Sequence, residues 1–237
     1  MKNPIWLLSG FLGDNNHWGE FPIVLAQQSG VMPEVFNWFK ETEGAQSLEE
    51  AARFLAQRAY AEGTRPVIVG YSMGGRLALQ SAIVAPGAFS AVVALSAHPG
   101  FSRPSDREAR RREDAVWAKL LRENVELFWE KWNQRGALKD SPTPERPQFD
   151  PRWATLLETM GTGQQEYLAP VLNSPGIPPV LALAGAQDEK FVALLKEMPA
   201  TVKTQTLNNV GHRLPLEAPL ELAQILAPFI RQSQEIL

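Results

Sequence analysis

The chain has no cysteine. That excludes disulfide staples, thiolate metal sites and a cysteine nucleophile, and it fits a reducing compartment. Only three histidines are present, His17, His98 and His212. A long apolar run is missing as well. The N-terminal stretch through Ser9 is too short for the apolar region of a signal peptide, and nothing in the chain is long enough for a membrane span. The expectation is a cytoplasmic protein. The net charge is −3, which gives no electrostatic reason to bind nucleic acid or an anionic membrane. Any anion site must come from local arginines. No metal-ligand spacing, phosphate loop or dinucleotide fingerprint is found, so no metal and no cofactor is expected. There is no internal repeat and no low-complexity segment. No oligomeric state follows from the sequence.

What is present is enough for a globular domain. At 237 residues and 44% hydrophobic content, the chain suits one large α/β domain, or one domain with an insertion. Its centre is the run Val67-Ile68-Val69-Gly70-Tyr71-Ser72-Met73-Gly74-Gly75-Arg76. An apolar β-branched strand leads into Gly-x-Ser-x-Gly, and a helical stretch over residues 77–85 follows. This is the strand–turn–helix setting of a nucleophile elbow, in which Gly70 and Gly74 admit a sharp turn and the Ser72 hydroxyl is exposed. A helix N-terminus beneath it favours developing negative charge.

Taken in order, residues 5–8 predict a strand, and Ser9-Gly10-Phe11-Leu12-Gly13 predicts a loop. Residues 18–28 predict a helix and 35–39 a strand. Ser47-Leu48-Glu49-Glu50 is a capping box that opens a helix ending at Gly63. Residues 91–96 form a further buried strand, running into Ala97-His98-Pro99-Gly100. From Phe101 the composition turns charged and helical. Helices are expected over 103–133, 153–160 and 164–172, with a proline-rich polar stretch between the first two. Strands return at 179–184 and 202–207, with helices at 191–198 and 220–234. Strands alternating with helices argue for a mostly parallel central sheet flanked by helices. The expected organisation is a core of residues 1–100 and 174–237, with residues 101–173 inserted as a helical cap over the site.

The order Ser72…Asp188…His212 is the chain order of an α/β-hydrolase triad, and each member follows a predicted strand. A histidine within reach activates the serine, and a carboxylate fixes the histidine's tautomer. His17 and His98 are rivals for the histidine, as Asp114 and Asp150 are for the carboxylate. The backbone N–H groups of Phe11 and Met73 are the candidate oxyanion donors. Arg76 lies one turn after Ser72 and points from the same side. Arg103, Arg107, Arg110, Asp114, Trp117 and Leu121 fall on one helical stripe, while Arg111 and Arg112 point elsewhere, towards solvent. Trp129 and Trp132 could both line the underside of the cap. Each residue alone has an ordinary alternative in core packing or a solvated face. Together, arginines and tryptophans near a serine site point to an anionic, partly apolar ligand.

These residues carry a resemblance. Gly10-Phe11-Leu12-Gly13 with Trp18, Gly70-Tyr71-Ser72-Met73-Gly74-Gly75-Arg76, His98-Pro99-Gly100, Arg107…Arg110…Asp114…Trp117-Ala118, Trp132, Gly185-x-x-Asp188-x-Lys190-Phe191 and Gly211-His212 together resemble the 2-succinyl-6-hydroxy-2,4-cyclohexadiene-1-carboxylate synthases. These are α/β-hydrolase-fold lyases of menaquinone and phylloquinone biosynthesis. The resemblance spans nearly the whole chain. It implies that Ser72, served by His212 and Asp188, takes a ring proton from a cyclohexene polycarboxylate, and that pyruvate is then eliminated. It also implies substrate contacts from Arg76, Arg110, Trp132, Tyr71 and Lys190, and from a further cap arginine, for which Arg152 is the candidate. The chain departs from the family at Ser9-Gly10, where His-Gly is common, and at Asn133, where an aromatic often follows the tryptophan. Two other readings use the same residues. One is a serine carboxylesterase or thioesterase, and the other is a non-catalytic small-molecule receptor on the same fold.

Overall fold

A computed structural model describes residues 3–13, 15–136 and 138–234. The ends of the expected core, residues 1–2 and 235–237, lie outside the described residues. Among the described residues six strands form one sheet: β1 (Ile5–Leu8), β2 (Glu34–Phe36), β3 (Val67–Tyr71), β4 (Ala91–Leu95), β5 (Val180–Gly185) and β6 (Lys203–Leu207). Their order is β2-β1-β3-β4-β5-β6, and every pairing is parallel. The helices are α1 (Phe21–Ser29), α2 (Trp38–Glu41), α3 (Leu48–Ala61), α4 (Met73–Val84), α5 (Pro104–Glu123), α6 (Val125–Asn133), α7 (Arg152–Met160), α8 (Glu189–Leu195), α9 (Leu214–Glu217) and α10 (Pro219–Gln234).

Parallel strands need both faces covered, because neither can be left to water. Side chains alternate across the sheet, and the core divides accordingly. Ile5, Leu7, Val67, Val69, Ala91, Val93, Leu181 and Leu183 pack with residues of α1 and α10, among them Phe21, Leu25, Leu222 and Ile230. Trp6, Leu8, Ile68, Val92, Ala94 and Ala182 pack on the other side with Leu55 of α3 and Leu77 of α4. Each fully buried leucine removes enough apolar surface from water to contribute about 1.5–3 kcal/mol. Between β4 and β5 the chain runs through α5, α6 and α7 with no strand among the described residues. Ala118, Leu121, Phe128, Trp153 and Leu157 from that stretch join the α3–α4 core, so its apolar side is continuous with the sheet's.

Some boundaries differ from expectation, each for a local reason. The strand expected over 35–39 stops at Phe36. Asn37 then caps α2 by accepting from the Lys40 N–H at 3.2 Å, and Trp38 turns inward to donate its indole N–H to the Ser9 carbonyl at 2.8 Å. The helix expected over 164–172 is reduced to a single 3-10 turn, Val171–Asn173. Pro170 lacks the N–H a helix needs, and the Leu168 N–H donates to the Pro99 carbonyl at 2.7 Å. The helix after the elbow starts at Met73, one turn earlier than expected, and the helix expected from residue 18 starts at Phe21. Ser47 caps α3 as expected, but Glu50 reaches back to the Gln46 N–H rather than to that of Ser47.

Candidate active site

Strands of a parallel sheet deliver the residues that follow them to one edge. Ser72 follows β3, Ser96 follows β4, Asp188 lies three residues beyond β5, and His212 follows β6 after a short loop. Ser72 sits at φ +53°, ψ −109°, between the last residue of β3 and the first of α4. Its N–H still donates to the Leu95 carbonyl at 2.8 Å, so the sheet holds it in a backbone region that costs about 1–3 kcal/mol. The turn tolerates no side chain at its glycines. A Cβ on Gly70 would meet the Gly74 backbone, and one on Gly74 would meet the carbonyls of Leu8 and Ser9.

The three side chains that the sequence placed in order stand in line. The His212 Nδ1 lies 2.7 Å from Asp188 Oδ2, and its Nε2 lies 3.4 Å from Ser72 Oγ. Asp188 and His212 are both buried. The Asp188 carboxylate also caps α8, accepting from the Phe191 N–H at 3.4 Å. A carboxylate at this distance selects the imidazole tautomer with its proton on Nδ1, leaving Nε2 to accept from the serine. The rival acids are engaged elsewhere. Asp114 accepts from Arg110 Nε at 2.8 Å, and Asp150 pairs with Arg152 at 2.6 Å.

A cavity of about 260 Å³ opens onto Ser72. Phe11, Tyr71, Met73, Arg76, Arg110, Trp132, Lys190 and His212 line it, as do His17 and His98. Met73 is the first residue of α4, so its N–H has no partner within the helix. The loop carrying Phe11 is clamped by two tryptophans. Trp18 donates to Ser9 Oγ at 2.9 Å and Trp38 to the Ser9 carbonyl. The Phe11 ring packs on Trp132 at 5.0 Å, with Phe128 stacked behind at 5.1 Å from Trp132.

Among the described residues the lining contains five cationic side chains, Arg76, Arg110, Arg135, Lys190 and Arg213, and no aspartate or glutamate. Arg76 is buried and, among the described residues, donates to neutral acceptors, the Met160 carbonyl at 2.8 Å and Gln165 Oε1 at 3.1 Å. Burial, with the nearby charge of Arg110, pushes it down to about 9, so it remains a cation near neutral pH. Burial likewise lowers Lys190 and Arg135, with Arg110 adding repulsion to each. His98 is pushed down to about 3 by burial and by Lys190, Arg76 and Arg110. It is neutral at pH 7, and its Nδ1 accepts from the Gly100 N–H at 3.1 Å. Burial pushes the Tyr71 hydroxyl up, keeping it protonated, within hydrogen-bond reach of Arg213. Burial of these side chains strengthens each charge interaction they make with a ligand. Among the described residues, no group of three or more His, Asp or Glu is placed to hold a metal ion.

Several expectations need correction. Arg152 is turned away from the cavity. It pairs with Asp150 and with Glu43 at 2.7 Å, and lies over the Phe39 ring at 4.6 Å. Its position beside Asp150, at the start of α7, gives it carboxylate partners outside the cavity. Trp129 packs against the core beside Val125 and Phe128, away from Trp132's side of the cavity. Two lining cations were missed by the sequence reading. Arg135 lies over the faces of Trp132 and Trp117, at 4.3 and 4.9 Å, and pairs with Glu113 at 2.8 Å. Arg213 donates to Asn133 Oδ1 and to the carbonyls of Leu138 and Ser141. Its adjacency to His212 was the only local signal. Asn133 is thus Arg213's partner, which gives a use to one of the two departures from the family pattern.

Residues 8–225 match the model of the alpha/beta hydrolase family. The 2-succinyl-6-hydroxy-2,4-cyclohexadiene-1-carboxylate synthase of Citrobacter koseri is 31% identical over 69% of this chain and 68% of its own. The enzyme of the same name from an Enterobacter species is 26% identical over 95% of this chain and 92% of its own. Among solved structures, MenH from S. aureus superposes with a TM-score of 0.81 at 24% identity, covering 99% of this chain and 96% of that one. A thermophilic esterase from Thermogutta terrifontis, with malate bound, gives 0.68 at 20% identity over 98% of this chain and 90% of its own.

Proposed function

This chain belongs to the alpha/beta hydrolase family, and from that premise we propose that it is a lyase. It eliminates pyruvate from 2-succinyl-5-enolpyruvyl-6-hydroxy-3-cyclohexene-1-carboxylate, within menaquinone or phylloquinone biosynthesis. The observation that carries this reading is the cavity lining, with five cations and, among the described residues, no aspartate or glutamate. Its relatives' shared name gives a product with two carboxylates, one on the ring and one on the succinyl chain; the enolpyruvyl group of the proposed substrate adds a third, and such a lining fits all three by charge.

The two ring names fix the chemistry. The substrate's double bond lies at C3–C4, and the product's lie at C2–C3 and C4–C5. The proton lost is therefore on C2, next to the succinyl ketone, and the bond broken is C5–O. Ser72 passes its hydroxyl proton to His212 and takes the C2 proton. The electron pair moves through the ring and expels enolpyruvate, which takes up a proton on carbon and leaves as pyruvate. Asp188 stabilises the imidazolium that forms. The N–H groups of Phe11 and Met73 serve the negative charge on the succinyl oxygen. Arg76, Arg110, Arg135 and Lys190 bind carboxylates, Tyr71 and Trp132 complete the wall, and residues 101–173 act as the cap. A cytoplasmic location is part of this reading. Among the described residues, no helix is long and apolar enough to cross a membrane.

Ester or thioester hydrolysis would use the same serine, but a neutral ester has no need of the buried Arg76. The deciding assay gives the purified protein freshly generated precursor and, separately, a simple aryl ester, each against a no-enzyme control because the precursor decays spontaneously. Accelerated pyruvate release is the expected result. Ester hydrolysis without pyruvate release would replace the lyase with an esterase, and tight binding without turnover would make the protein a receptor.

A further inference from the structure

The loop that carries His212 is held by groups the elimination does not use. Gly211, His212 and Arg213 present three successive backbone N–H groups, and a side chain receives each one. Glu217 accepts from the Gly211 N–H through Oε2 at 2.5 Å and from the Arg213 N–H through Oε1 at 2.8 Å. Ser141 Oγ accepts from the His212 N–H at 3.1 Å and donates its own proton to Glu217 Oε1 at 2.6 Å. On the other side of the same residue, the His212 carbonyl accepts from the Ser96 hydroxyl at 3.0 Å. Glu217 ends α9 and reaches back to the start of that helix, as in a capping box but one residue further along.

Ser141 comes from far away in the chain, in the stretch between α6 and α7, and it is buried. Its carbonyl and that of Leu138 also receive the Arg213 guanidinium, at 3.2 Å each. Gly211 is what allows the approach. A Cβ there would stand 2.8 Å from Ser141 Oγ and 3.1 Å from Glu217 Oε2, forcing the bridge apart.

The imidazole spans two elements, with Asp188 beyond β5 on one nitrogen and Ser72 beyond β3 on the other. The Ser72 contact, at 3.4 Å, is at the outer limit of hydrogen bonding. A small tilt of the loop breaks it. We propose that Ser141 and Glu217 are positioning residues for His212. The proposal rests on the reading of Ser72 and His212 as a proton-transfer pair, and it is independent of which substrate the pair serves.

The test uses a fluorophosphonate, which reports on that pair alone. Ser72 Oγ bonds to phosphorus, the P–F bond breaks, fluoride leaves, and the hydroxyl proton passes to His212. The second-order rate is read by intact mass near neutral pH on proteins shown to be folded by circular dichroism. Ser141→Ala and Glu217→Gln should slow labelling by about tenfold or more, since a shift of the order of 1 Å in a catalytic group costs about 100-fold. Ser141→Thr keeps the hydroxyl and should restore the rate to within about threefold of wild type, which loss of general stability would not predict. A wild-type rate in Ser141→Ala or Glu217→Gln overturns the proposal, as does a threonine variant as slow as alanine. Should Ser141→Ala not fold, Glu217→Gln decides alone. A wild-type protein that does not react at all refutes the pairing on which the proposal rests. A failed lyase assay leaves the test intact.

Discussion

Replacing Arg76 by methionine keeps most of the side chain's length and removes its charge. In the protein the guanidinium is buried and spends two of its five N–H donors on the Met160 carbonyl and Gln165 Oε1. The remaining donors and the charge are free to meet a ligand. A carboxylate about 4 Å away at an effective dielectric of about 20 gains about 4 kcal/mol of Coulomb energy before desolvation is counted. Hydrogen bonds to charged groups retain about 1.5–3 kcal/mol net. At about 1.4 kcal/mol per decade, Arg76→Met should lower kcat/KM by about 10- to 150-fold. A clamp held equally in the ground and transition states puts that loss into KM and leaves kcat near wild type. Pyruvate release, coupled to lactate dehydrogenase, reads both constants. Arg112→Met is the control. That side chain is exposed and meets Glu108 at 3.3 Å, so kcat/KM should stay within about twofold. A folded Arg76→Met protein with wild-type kcat/KM would refute the carboxylate clamp.

Arg135→Leu should raise KM by about tenfold, whereas Arg152→Leu should leave kinetics unchanged; equal effects on pyruvate release would contradict the placement of these two arginines. His98 is held down to about 3 in the folded protein, below the ordinary histidine value of about 6.5. The stability it contributes by staying neutral is complete above pH 6.5 and is lost as pH falls towards 3, where the unfolded chain takes up a proton the folded one refuses. Melting temperature should therefore fall less steeply from pH 6.5 to 4 in His98→Gln than in wild type, and parallel curves would contradict this. Gly74→Ala places a methyl against the Leu8 and Ser9 carbonyls and should abolish soluble, folded protein. A variant with wild-type melting temperature would contradict the elbow geometry.

The sheet was legible because buried strands carry their signal locally. Val67–Val69, Ala91–Leu95 and Val180–Ala184 are short apolar runs bounded by turn residues, and a parallel sheet needs nothing subtler. Ser72 and Asp188 could be ordered from sequence because each follows such a run; His212 follows β6, whose residues are mostly polar and exposed, and is placed by its position after the last strand. Misreadings arose where a distant group decides the outcome. Trp38 looked like the end of a strand until its indole found the Ser9 carbonyl. Residues 164–172 looked helical, but the Leu168 N–H is taken by Pro99. Among the arginines between residues 101 and 173, helical spacing placed Arg110 and not Arg135, which follows α6 and is aimed by Trp117, Trp132 and Glu113. Arg152 was misassigned because no local pattern shows that Asp150 and Glu43 are its neighbours. Ser141 lies in a polar, proline-rich stretch with no periodicity, and only the folded chain brings it to His212.

The central claim is that Ser72 is the base for pyruvate elimination. Its most direct test is the rate of pyruvate release from freshly generated precursor by Ser72→Ala beside wild type, each corrected for spontaneous decay. The account predicts a loss of about 10³-fold or more, the scale on which removal of one member of a serine–histidine pair acts. A Ser72→Ala protein that releases pyruvate within about tenfold of the wild-type rate would contradict it, and would move the proton-taking role to another group in the cavity.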